Sequence, residues 1–151
     1  MQSVPRKLFS FLKILKTKKK SSPPPVLQGQ IYNLQTIYQE VNQTYFEGKL
    51  NLHIEWSGNK DKKARRSRRL GSYCLRTQRI RIHRMLDSPE FPSPFIYFIV
   101  YHEMLHSVYP PLKHRSGRRA IHHPAFRQKE REFAEYEAVK KWEKENRKLF
   151  F

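Results

Sequence analysis

The chain has 151 residues, 31 Lys or Arg against 13 Asp or Glu, a formal net charge of +18 and one cysteine. That length suits one compact domain with appendages, and a lone cysteine excludes both an intramolecular disulfide framework and a cysteine-rich zinc ribbon. Ten Phe, eight Tyr and two Trp supply a core despite a hydrophobic content of only 38%, while so large a positive charge makes association with polyanions at low salt hard to avoid.

Residues 1–29 contain seven Lys or Arg and no Asp or Glu, and they close in Lys18-Lys19-Lys20-Ser21-Ser22-Pro23-Pro24-Pro25. This is the composition of a flexible basic arm with a Pro-rich linker. Within it, Leu8, Phe9, Leu12 and Leu15 form a helical stripe flanked by Lys7, Lys13 and Lys16. Such a stripe suits docking on a membrane surface, a nucleic acid or a partner protein, or else a solvated arm. Lysines interrupt the apolar stretch and no small-residue cleavage site follows, which argues against a signal peptide.

The folded domain is expected over 30–151. Ile31, Leu34, Ile37, Val41 and Tyr45 keep helical spacing, predicting a helix from Gln30 to Phe46 that Gly48 ends. Leu50, Leu52, Ile54 and Trp56 then alternate with polar residues as in a half-buried strand. A basic loop follows, in which Lys62, Lys63, Arg65, Arg66, Arg68 and Arg69 are candidates to track a phosphate backbone. Interleaved aromatics are absent from it, so base stacking has little support. Residues 70–76 and 79–84 read as two further strands joined at Thr77-Gln78, with Ile80 and Ile82 inward. His53 and His83 fall on their polar faces and read as surface residues. Cys74 reads as a small buried thiol in a strand, in a reducing compartment and hence a cytoplasmic location.

An almost unbroken apolar run, Phe95 to Tyr101, leads into His102-Glu103-Met104-Leu105-His106. Ser93 and Pro94 suit an N-cap and a first-turn proline, and Pro110-Pro111 must stop the helix, giving about four turns. This is shorter than the roughly 20 apolar residues of a membrane span. On a helix, positions i and i+4 share a face, so both imidazoles can address one metal while Glu103 reaches a water held there. A catalytic zinc takes a third protein ligand and keeps a position for water. His114 lies in a basic loop where an imidazole is solvated. His122 is favoured because Pro124 can open a final helix just after it, with His123 as its rival. That final helix is expected from Ala125 to Lys148, packing through Phe133, Tyr136, Val139 and Trp142.

Three blocks taken together resemble the SprT-like zinc metallopeptidases, the group of bacterial SprT and the Spartan crosslink proteases. They are Tyr45-Phe46-Glu47-Gly48-Lys49-Leu50, then Leu70-Gly71-Ser72-Tyr73 leading to Ile80-Arg81-Ile82-His83, then the His-Glu-x-x-His helix followed by His122-His123-Pro124-Ala125-Phe126. The resemblance implies an α+β fold, a small zincin-like domain with an N-terminal helix, a three-stranded sheet, the motif helix and a C-terminal helix. It also implies His122 as third ligand, opening a His-Gly-x-x-aromatic pattern with Phe126 as the aromatic. His123 departs from that pattern by standing where Gly is usual.

The reading is therefore zinc-dependent peptide hydrolysis with one zinc ion per chain, held by His102, His106 and His122. Glu103 would take the water's proton and deliver it to the leaving amine. Tyr101, Tyr109 and the arginines are candidates to support the oxyanion. The substrate would be a protein or peptide, in the resemblance one held near nucleic acid, with DNA or another polyanion as partner. The alternative is a nucleic-acid-binding module whose structural zinc is closed by a fourth ligand, His123, His114 or Cys74.

Overall fold

The computed structural model describes residues 23–60 and 68–151. The amphipathic stripe of the arm and four of the six loop cations, Lys62, Lys63, Arg65 and Arg66, lie outside the described residues. The fold is α+β, with a three-stranded sheet and four α-helices among them.

Helix α1 spans Leu34–Phe46, capped by the Asn33 side chain, which accepts from the Thr36 N–H at 3.1 Å. It starts four residues later than its periodicity predicts, and the reason is tertiary. Asp87, only 6% exposed, takes the backbone N–H groups of Gln30, Ile31 and Tyr32 on its carboxylate at 2.6, 2.8 and 3.1 Å. Those donors are thereby held out of a helical turn, and Ile31 is left half exposed. At the other end Glu47 and Gly48 turn left-handed, at φ 55° and 69°. Asn42 and Tyr38 then fix the chain leaving the helix: both side chains donate to the Leu50 carbonyl at 2.8 Å.

Strand β1 is His53–Ser57, β2 is Gly71–Cys74 and β3 is Arg79–His83. The spatial order is β1-β3-β2, with β1 parallel and β2 antiparallel to β3. Ile54 faces Ile80 and Trp56 faces Ile82 across the register, and all four are buried. On the opposite face Glu55 pairs with Arg79 and Arg81, each at 3.0 Å. The second strand is shorter than its sequence suggests, because Leu75 to Gln78 form the turn into β3. Cys74, expected to be buried, is exposed at the end of β2, where the chain leaves the ladder. His53 is exposed as expected; His83 is half-buried against Gly58, and its Nδ1 accepts from the Met85 N–H at 3.1 Å.

Helix α2, Ser93–Val108, carries the His-Glu-x-x-His motif through the centre of the domain. Pro92 rather than Ser93 occupies its N-cap, so Ser93 is already helical. Its apolar residues lie all round, with Phe95, Ile96, Val100, Tyr101, Met104 and Leu105 wholly buried, and it packs on α1, the sheet and both following helices. Beyond Pro110-Pro111 a small hairpin of β4 (Leu112–Lys113) and β5 (Arg119–Ala120) carries the exposed His114 at its turn.

The predicted final helix is two. Helix α3 runs over Pro124–Glu130 and α4 over Tyr136–Glu145, with a 3-10 turn at Arg147–Phe150. Between α3 and α4 Phe133 turns inward onto Tyr45, Phe98 and Tyr101, and Tyr45 Oη accepts from the Ala134 N–H at 3.2 Å. Trp142 and Phe150 close over Phe91 and Phe95. No helix among the described residues is long and apolar enough to cross a membrane.

Asp87 supplies a test of this frame. Burial opposes its ionisation, but the three N–H donors and nearby Lys60 outweigh that and hold its pKa below the ordinary value. Asp87→Asn is expected to cost about 1–3 kcal/mol at neutral pH, read by denaturant unfolding. A folded-state pKa below the unfolded one stabilises above the unfolded value and is lost as pH falls through the folded one. The gap between wild type and variant should therefore close in acid.

Candidate metal centre and cleft

The two motif histidines sit one turn apart on the stripe of α2 that faces a cleft of about 540 Å³. Their ring centroids are 5.0 Å apart. His122, on the segment between β5 and α3, swings its ring over them, to 4.9 Å from His102 and 5.1 Å from His106. Each of the three offers one ligand atom within 4.8 Å of the others. Phe126, wholly buried on α3, is the floor of the cluster, 5.1, 4.7 and 4.8 Å from the rings of His102, His106 and His122.

Donor chemistry and spacing fit a metal ion. The Nε2 atoms of His106 and His122 approach to 3.3 Å. Two nitrogens bound to one tetrahedral zinc at its usual bond length are separated by about that distance, roughly 3.3 Å. Burial, followed by the charges of His102 and His122, pushes the His106 pKa down to about 4, so its ring is neutral and has a lone pair to give.

Glu130, at the end of α3, had no motif to announce it. Its Oε1 lies 2.6 Å from His102 Nδ1, which leaves Nε2 of that ring for the cleft. Burial works against ionisation of Glu130, yet the His102 hydrogen bond and charge outweigh it and keep the carboxyl below its ordinary pKa. A carboxylate two turns after His122 on a short helix is a weak signal, because only the packing of α3 on α2 shows which imidazole it meets.

Glu103 is 6% exposed and lines the same cleft. Burial pushes its pKa up to about 7, against the pull of His102 and Arg69. Its neighbour across the cleft is Gly71 of β2, where a Cβ would come within 2.6 Å of Glu103 Oε1 and 2.8 Å of its Cγ. Gly71 therefore makes the room in which the carboxylate sits.

The remaining sequence candidates divide clearly. Tyr101 is wholly buried and donates its O–H to the Lys129 carbonyl at 2.6 Å, so it cannot serve an oxyanion in the cleft. Tyr109 is not among the lining residues, whereas Arg69 is, and Arg68 lies just beyond. His123 is 7% exposed and stands outside the triad, with its Nε2 unpartnered among the described residues. His114 and Cys74 are also outside it.

The sequence model of the SprT-like family matches residues 34–144, well over half of the chain. The chain belongs to the SprT-like family. No curated protein sequence matches it. In fold it is similar to the crystal structure of the metallopeptidase zymogen of Methanocaldococcus jannaschii jannalysin, with a TM-score of 0.57 and 15% identity over 80% of this chain and 99% of that one. The matched segment takes in both strands of the β2–β3 hairpin, the motif helix and α3, so this SprT-like chain draws its cleft from the matched region.

Two substitutions separate the roles. Glu130→Gln removes the charge that orients His102 and is expected to weaken metal-ion affinity about 10–100-fold, read by competition with a chromophoric chelator. Gly71→Ala should leave metal-ion affinity within a few-fold of wild type while displacing Glu103; a matched loss in both variants would mean that Gly71 shapes the triad as well.

Proposed function

We propose that the protein is a zinc-dependent peptidase, with His102, His106 and His122 as ligands and Glu103 as the general base and acid. The observation that carries this reading is the pairing of a three-imidazole cluster with a buried carboxylate in one open cleft. Zinc bound there would acidify a water and polarise a carbonyl. Glu103 accepts the attacking water's proton and returns it to the departing amine, which needs a carboxyl whose pKa lies near the working pH. Glu130 holds the His102 ring by its Nδ1, and Phe126 keeps water from the back of the cluster.

The sheet supports a polypeptide substrate. Strand β2 is paired on one side with β3 and is the outer strand of the order β1-β3-β2, and its residues Gly71, Ser72 and Tyr73 line the cleft. An extended peptide can add to such an edge by main-chain hydrogen bonds, which would lay its backbone beside Glu103. Proteins held on nucleic acid remain part of the proposal through charge alone, since Arg69 lines the cleft and Arg68 the space next to it. A structural zinc closed by His114, His123 or Cys74 has no support in their positions.

Glu103→Gln is expected to keep zinc and fold while losing peptide hydrolysis about 10²–10⁴-fold. Equal turnover in that variant refutes the mechanism. His106→Ala and His122→Ala should each lose most of the metal, with a drop in Tm through the linkage of binding to folding. His123→Ala should retain it, and the opposite ranking of His122 and His123 would move the third ligand by one residue.

A further inference from the structure

The cleft does not end at the triad. A second cavity of about 500 Å³ adjoins it, lined by Arg68, Lys144 and Arg147 over Leu70 and Phe150. Leu70, Lys140 and Glu143 line both spaces, so the two are one groove. We propose that this groove selects peptides bearing an acidic side chain on one side of the scissile bond, read by Lys144 and Arg147. The inference rests on the peptidase reading above and adds the substrate class to it.

Two elements give the groove its direction. Along β2, Leu70 lies at the basic cavity, Gly71 stands against Glu103, and the chain continues to Leu75, which lines only the metal cleft. Along α2, Phe98 carries Lys140 over its ring at 5.8 Å, His102 and His106 follow, and Pro110 and Pro111 come last. One end of the groove is thus cationic and the other apolar, where Leu75 and Ile121 are 63% and 51% exposed. The triad lies between them.

Charge decides which group the basic end accepts. Its one acidic side chain among the described residues, Glu143, is paired with Lys140. Lys144 and Arg147 have no acidic partner among the described residues and both are exposed. Leu70 and Phe150 provide an apolar floor for the methylenes of a Glu side chain, and the two cations meet its carboxylate. An extended residue advances about 3.3 Å, so the position that meets the two cations is read by moving the acidic residue one place at a time along the peptide. At the other end the same carboxylate would face Leu75, Pro110, Pro111 and Ile121, none of them a cation, among the described residues.

The test uses the zinc-loaded full chain and matched peptides with Glu or Gln placed at successive positions to either side of a fixed cleavage point. A Glu on one side is expected to raise kcat/KM roughly tenfold over Gln, as two partly screened charge pairs can supply, and a Glu on the other side is not. Lys144→Gln with Arg147→Gln should bring the ratio to about one. Arg118→Gln with Arg119→Gln, on the exposed hairpin, should leave it. Equal benefit on both sides, or equal loss in the hairpin variant, would reduce the effect to the overall positive field and overturn the proposal. Loss of duplex DNA binding in the Lys144/Arg147 variant with peptide selectivity intact would give the cavity to nucleic acid and overturn it as well. Should wild type cleave none of the peptides, the peptidase reading fails first. Fluorescence anisotropy of the same peptides on the Glu103→Gln protein then decides the subsite, a one-sided Glu preference supporting it and its absence refuting it.

Discussion

Helix α2 is apolar around most of its circumference, so it is stable only where neighbours cover it, and α1, the sheet, α3 and α4 are arranged to do so. The stripe that carries His102, Glu103 and His106 is the one that faces the cleft. Half-buried imidazoles and a buried carboxylate are costly unless they find partners. The rest of the cleft can be understood as the supply of those partners: His122 and Phe126 from α3 and its approach, Glu130 from the end of α3, and the space above Gly71 from the edge of the sheet.

The same burial sets the electrostatics. Glu103 is held near neutrality in its titration by desolvation, while the nearby Arg69 and His102 draw it back. His106 is driven toward its neutral, donor form. Glu130 is the exception that steadies the site, since its hydrogen bond to His102 keeps it ionised in spite of burial. Opposed shifts on two carboxyl groups lining one cleft suit the proposed division of labour, in which Glu103 exchanges a proton and Glu130 stays an anion that holds a ring in place.

In the proposed reading, position along the groove separates chemistry from selection. The carboxylate of Glu103 lies against Gly71 of β2, a contact that a Cβ at that position would block. Under the proposed reading, selection falls to side chains on α4 and the turn after it, while Leu75 and Ile121 line the metal cleft itself. Helix α4 thus has two faces with separate uses, Val139 and Trp142 inward on the core and Lys140 and Lys144 along the groove.

What the sequence determined was whatever depends on local spacing. The i and i+4 placement of His102 and His106, the inward Ile80 and Ile82, the stop at Pro110 and the helical run ending at Gly48 follow from periodicity and backbone restriction, and His122 was favoured by the helix-opening Pro124 and by a family pattern. What depended on distant residues was hidden. Asp87 captures the N–H groups of Gln30 to Tyr32 and delays α1; Phe133 is drawn into the core and splits the last helix; Tyr101 spends its hydroxyl on Lys129. Cys74 is exposed because β2 ends there, a boundary set by the turn into β3 rather than by the residue's own polarity. Glu130 and Gly71 belong to the cleft only because α3 and β2 are packed against α2, and no spacing along the chain encodes a contact that two separate elements make in space.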